Sequence, residues 1–129
     1  ADIGLEAWGH EVEETFKEAA RGFTALMFER EKIQKKEKIS IHVRADNPEE
    51  LLIAWLAEIL YIVDATDMAI CDADIELWED DELKGCVWGE PFQEGIHPTH
   101  HQIKAVTYHQ VSLEEDEEGK IWCQVYFDL

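Results

Sequence analysis

The sequence predicts an α+β domain, a mostly antiparallel β-sheet covered by two α-helices. Three patterns lead there. Apolar residues recur at helical spacing in two segments, near 11–27 and 47–63. Apolar and polar residues alternate in short runs elsewhere. The elements run strand, helix, strand, helix and then four strands, an order that suits antiparallel pairing with helices on one side.

Residues 2–8 alternate, with Ile3, Leu5 and Ala7 on one face and Asp2, Gly4, Glu6 and Trp8 on the other; Gly9 ends this first strand. From Glu11 the period turns helical. Val12, Phe16, Ala19, Ala20, Phe23, Leu26 and Met27 form a stripe broad enough to lie on a sheet. Glu11, Glu13 and Glu14 crowd its first turn, where the helix dipole favours anions. A charged connector over 29–38 leads to a strand in which Ile39, Ile41, Val43 and Ala45 alternate with Ser40, His42 and Arg44. Asn47 then caps a second helix, Pro48 takes its first position and Glu50 completes a capping box. This helix continues through Val63 and is apolar round most of its circumference, so it is expected to be the more deeply buried of the two.

Cys71, Ala73, Ile75 and Leu77 alternate with Asp72, Asp74, Glu76 and Trp78. After an acidic turn at 79–82, residues 83–89 return as the hairpin partner. A loop from Glu90 to Ile103 follows, longer than the ~4–6 residues usual in compact domains, and such loops often carry function. The run KAVTYH, Lys104 to His109, opens a strand that continues through Val111 and Leu113. Strict alternation puts 105, 107, 109, 111 and 113 inward, so Lys104 and Tyr108 point outward together. An acidic turn at 114–119 precedes a last strand, with Ile121, Cys123, Val125 and Phe127 inward and Trp122, Gln124, Tyr126 and Asp128 outward.

A chain of 129 residues, 46% apolar, is expected to form one domain over 1–129. Thirty acidic residues against eleven basic ones give a formal net charge of −19. That surface repels nucleic acid, whose binding rests on neutralising phosphates, and suits a basic protein partner, a bound cation or plain solubility. No apolar run reaches the ~20 residues needed to cross a bilayer, and no secretory leader is expected. Cys71, Cys86 and Cys123 have no CxxC spacing and read as free thiols in a reducing cytoplasm.

No nucleophile-elbow, P-loop, dinucleotide-binding or zinc-protease motif occurs. Asp2 opens the first strand and Asp128 nearly closes the last, each on the face opposite its apolar residues. If those strands are antiparallel neighbours, the two carboxylates meet near the carboxyl end at Leu129. Such an all-oxygen group suits Ca²⁺ or Mg²⁺, while the alternative is a pair of solvated chain ends. His97, His100 and His101 match no common zinc spacing and read as solvent-facing imidazoles on a mobile loop. Lys104 is either a lone surface lysine or an anchor for a partner carboxylate or nucleotide phosphate.

GEPF at Gly89–Phe92, the loop through His97, KAVTYH and the closing Asp128 and Leu129 resemble the archease family. ADIG, AWG, EETF and LAEILYIVDA fit the same pattern, in order, over essentially the whole chain. The family pattern has His-Thr directly before Ala-Asp, a pair absent from a chain that opens at Ala1. It more often places Thr or Ser at the position of Glu11, which puts the start of the first helix in question. The resemblance implies a small non-enzymatic activator of RtcB-type RNA ligases in transfer-RNA splicing. Such a protein promotes guanylylation of the ligase histidine and multiple turnover, and is also described as chaperone-like. It implies a divalent cation held by Asp2, Asp128 and the carboxyl end at Leu129, with Lys104 as an activating lysine. Two other functions are set against it: a general holdase, and a metal-dependent hydrolase using Glu90, His100 and His101.

Overall fold

The computed structural model describes residues 2–129; Ala1, the first residue of the ADIG run, lies outside them. The elements follow the expected order: β1 (Asp2–Gly9), α1 (Val12–Met27), a 3-10 turn (Arg30–Lys32), β2 (Glu37–Arg44), α2 (Pro48–Thr66), β3 (Met68–Trp78), β4 (Glu82–Pro91), β5 (Ala105–Glu115) and β6 (Ile121–Asp128). The β structure is antiparallel throughout but is divided into two three-stranded sheets, β1-β6-β5 and β2-β4-β3. Period-two alternation marks a buried face on every strand and says nothing about which strands share a sheet.

Each helix touches both sheets: α1 packs against β1 and β3, and α2 against β5 and β2. The α1 stripe is buried as expected, with Phe16, Ala19, Ala20 and Phe23 fully enclosed. Phe23 stacks on Phe127 of β6 with centroids 4.7 Å apart, and Phe16 meets Trp78 of β3 edge-on at 5.8 Å. The indole N–H of Trp55 on α2 donates to the carbonyl of Phe16 at 3.0 Å, so this buried polar group joins the two helices. Each large apolar side chain enclosed here contributes roughly 1.5–3 kcal/mol. α2 buries Leu51, Leu52, Ile53, Trp55, Leu56, Ile59, Leu60 and Ile62, yet its Tyr61 is 62% exposed. It is therefore not the much deeper helix that its composition suggested, because both helices bridge the same two sheets.

The helix starts follow their sequences. Asn47 Oδ1 accepts from the Glu50 N–H at 2.9 Å, as the capping box requires. Glu11 makes no side-chain cap to α1; Glu14 instead reaches back to the N–H of His10 at 3.0 Å. The end of α1 has neither a glycine nor a basic residue in its last turn. Its free carbonyls at Leu26 and Met27 accept from the N–H groups of His101 and His100, at 3.0 and 2.9 Å. The long loop after β4 thus serves as the C-terminal cap of α1.

Between α1, the 3-10 turn and β3, Asp72 gathers three cations. Arg21 Nε lies 2.8 Å from its carboxylate, Lys35 Nζ 3.5 Å and Arg30 Nη2 3.7 Å. β3 and β4 approach closely at Gly89, where a Cβ would fall 1.9 Å from the carbonyl oxygen of Ala69.

Candidate functional site

The register of β1 against β6 places Asp2 directly opposite Asp128, and that of β5 against β6 places Ala105 beside Asp128 on its other flank. The start of β1, the end of β6 and the start of β5 therefore meet at one end of this sheet. Lys104, immediately before β5, donates its main-chain N–H to the carbonyl of Asp128 at 2.8 Å. Asp2, Asp128 and Lys104 are all exposed, and among the described residues none of the three joins an ion pair. Directly opposed residues on an antiparallel pair have Cβ atoms about 4.5–5.5 Å apart, and like charges there repel. Two hard carboxylates held this way fit a hard divalent cation in chemistry. Among the described residues no three His, Cys, Asp or Glu side chains gather closely enough to hold a metal ion. A cation here would therefore take its remaining ligands from main-chain oxygens or water.

The faces of β5 differ from strict alternation. Val106 lies opposite Phe127 and Leu113 opposite Cys123, and both partners are fully buried. Val106 thus turns inward where Ala105 and Thr107 were expected to. Between Thr107 and Ser112, β5 advances five residues while β6 moves two, from Tyr126 to Gln124. This bulge carries Tyr108, His109 and Gln110, and it restores the inward phase at Leu113. Gln110 adopts a left-handed φ of 53°, and its carbonyl accepts from Gln124 Nε2 at 3.1 Å. Lys104 and Tyr108 therefore do not form one outward pair along a regular strand: one precedes the strand and the other sits on the bulge.

The loop from Phe92 to Lys104 is pinned rather than loose. His97, expected in solvent, is 3% exposed. The N–H of Gln93 donates to its Nδ1 at 2.9 Å, so Nε2 carries the ring proton and stands 3.3 Å from Glu90 Oε2. The Glu90 carboxyl is held below its usual range, chiefly by the Gln34 N–H at 2.6 Å and further by His97 and Lys36, against the opposing effect of burial. Phe92 and Phe28 pack nearby, and Phe28 bridges to Thr99. The loop that delivers Lys104 is thus fixed at both ends of its path. The expectation of a solvent-facing His97 fails because the loop folds back on itself, so that Gln93 and Glu90, both near in sequence, enclose the imidazole.

A match to the family model of the Archease protein family extends over residues 1–129. The chain belongs to the archease family. It is 31% identical to the protein archease of Pyrococcus furiosus, across 100% of this chain and 93% of that one. It is 34% identical to the protein archease of Saccharolobus solfataricus, across 94% and 88%. The solution structure of Methanobacterium thermoautotrophicum protein 1598 superposes with a TM-score of 0.83 at 31% identity, covering 100% of this chain and 93% of that one. The crystal structure of a Thermotoga maritima archease, named as a possible chaperone, gives 0.70 at 19% identity, covering 100% and 91%. The α+β fold read from the sequence is that of these archease structures.

Within this archease fold the other constellations resolve as follows. Glu90 is engaged by His97, Gln34 and Lys36. His100 and His101 are exposed and line a cleft of about 250 Å³ between the loop and the end of α2, with Asp64 on its rim. The hydrolase set of Glu90, His100 and His101 is therefore not gathered around one point. Cys71, Cys86 and Cys123 are buried and unpaired, and burial pushes the Cys123 thiol up to about 12. Among the described residues no helix is long and apolar enough to cross a membrane.

Proposed function

We propose that this archease is a non-enzymatic protein cofactor of an RtcB-type RNA ligase in transfer-RNA splicing. It promotes transfer of a guanylyl group from GTP to the ligase histidine and so sustains multiple turnover. Family membership supports the reading, and one observation carries it to named residues: Asp2, Asp128 and Lys104 are brought together at one exposed corner. A divalent cation, Ca²⁺ or Mg²⁺, held by Asp2, Asp128 and the carboxyl end at Leu129 would neutralise the opposed carboxylates and tie the first strand to the last. The corner then meets the ligase's nucleotide site. The backbone of Lys104 is anchored to Asp128, and its ammonium, on a flexible stem rooted there, supplies positive charge toward phosphate or a partner carboxylate. The chain itself takes part in no bond making; it positions groups on the partner and favours the geometry of attack.

The net charge of −19 suits a ligase that is basic around its RNA channel, and a cytoplasmic setting suits three reduced thiols. The holdase reading has the naming of the Thermotoga maritima relative behind it. The two separate in one experiment with purified ligase, GTP and broken transfer-RNA halves under ligase-limiting conditions. The activator reading expects many ligations per ligase with this chain and about one without it. Suppression of client aggregation, with no change in ligation, would transfer the assignment to the holdase.

A further inference from the structure

The outward face of the β1-β6-β5 sheet stays open while its inward face fills the core. Trp8, 45% exposed, stands directly opposite Trp122. Two rungs along, Gly4 lies opposite Tyr126, and a Cβ on Gly4 would fall 2.8 Å from Tyr126 Cε1, so the ring lies flat across the sheet. The imidazole of His109, on the β5 bulge, leans on the same ring at 6.1 Å. Carboxylates flank these aromatic rings: Glu114 opposite Trp122, and Glu6 on the rung between Trp8 and Gly4. No Lys or Arg occupies the outward positions of these three strands.

We propose that this face is a docking surface for arginine side chains of a basic protein partner. A guanidinium stacks on an indole or phenol face while its N–H groups reach a neighbouring carboxylate, and this sheet sets both within one rung. Aromatic and arginine residues dominate the energetic centres of protein interfaces. The aromatic rings could also stack on bases, but the flanking carboxylates and the net charge of −19 repel a phosphate backbone. The face ends at the corner of Asp2 and Asp128, so docking here would present that corner to the same partner. That last step rests on the ligase reading; the docking surface does not.

The first test needs no ligase. The indole N–H resonances of ¹⁵N-labelled protein are followed during titration with a short arginine-rich peptide, a lysine peptide of equal charge and a single-stranded RNA. The expected result is saturable movement of Trp8 and Trp122 with the arginine peptide, about threefold tighter than lysine, and a still Trp55. Glu6→Lys combined with Glu114→Lys should weaken it about tenfold, and Trp8→Ala similarly, with unchanged far-ultraviolet circular dichroism. Equal affinity for both peptides, insensitivity to the charge reversal, or preferential binding of the RNA at this face overturns the proposal. The second test measures ligase affinity. The double charge reversal should raise Kd about tenfold while the guanylylation rate at saturation stays within about twofold. An activated ligase whose Kd ignores the reversal removes this face from ligase docking, and with it the presentation of the Asp2 and Asp128 corner, while leaving the activator reading standing. A positive peptide result with a ligase that does not bind removes the activator reading and leaves the face standing.

Discussion

Asp72 shows how a single carboxylate can hold three segments. Burial pushes its pKa up, but the Arg21 hydrogen bond, the Ala73 N–H and the charges of Arg21 and Lys35 outweigh that and hold it below the usual range. A depressed carboxylate contributes stability that is complete above its unfolded value of ~3.9 and is lost as pH falls through the folded value. Asp72→Asn should therefore cost about 1–3 kcal/mol near neutral pH, with the difference from the parent shrinking in acid; urea unfolding at about pH 7 and pH 3 checks the sign. His97 acts differently, by fixing a path. His97→Ala should leave the helices folded while amide exchange over 92–104 rises, and His97→Gln should restore part of the protection. Asp2 and Asp128 were legible because each sits on the polar face of an alternating strand at a chain end. Asp72 was not, because its cations come from segments that only the fold brings near; His97 was not, because its partners Gln93 and Glu90, though near in sequence, sit in an irregular loop whose path no periodicity describes.

Among the elements, the clearest departure from sequence expectation is β5. Alternation assumes a regular pleat, and the sequence VTYHQV carries no glycine or proline to warn of a bulge. The left-handed residue is Gln110, a type that seldom marks itself in that role. The consequence is a protruding turn of Tyr108 and His109 beside the Asp128 corner, where a flat strand was expected. The end of α1 was similarly hidden, since a distant loop caps it. By contrast the start of α2 was plain in Asn47, Pro48 and Glu50, and Asn47→Ala should cost about 1 kcal/mol in chemical denaturation. The closeness of β3 and β4 at Gly89 gives a sharper expectation. Gly89→Ala must displace backbone, so its loss should exceed the cap's, seen as a lower midpoint with an unchanged m-value.

For the molecule as a whole, two sheets and two bridging helices bring the first and last strands side by side and leave their common corner open. The fold class was readable from periodicity; the division into two sheets was not, because every strand buries one face either way. If the corner holds a cation, ligand binding must stabilise the fold by mass action. Calcium at about 100 times its dissociation constant should add about 2.7 kcal/mol to the stability of metal-stripped parent protein and nothing to Asp128→Ala. Whether the corner acts on a partner is tested most directly by single-turnover guanylylation of a purified RtcB-type ligase at saturating activator. The parent chain should accelerate it, and Asp128→Ala and Lys104→Ala should each return the rate toward that of ligase alone. Full acceleration by either folded variant would contradict the assignment of that corner.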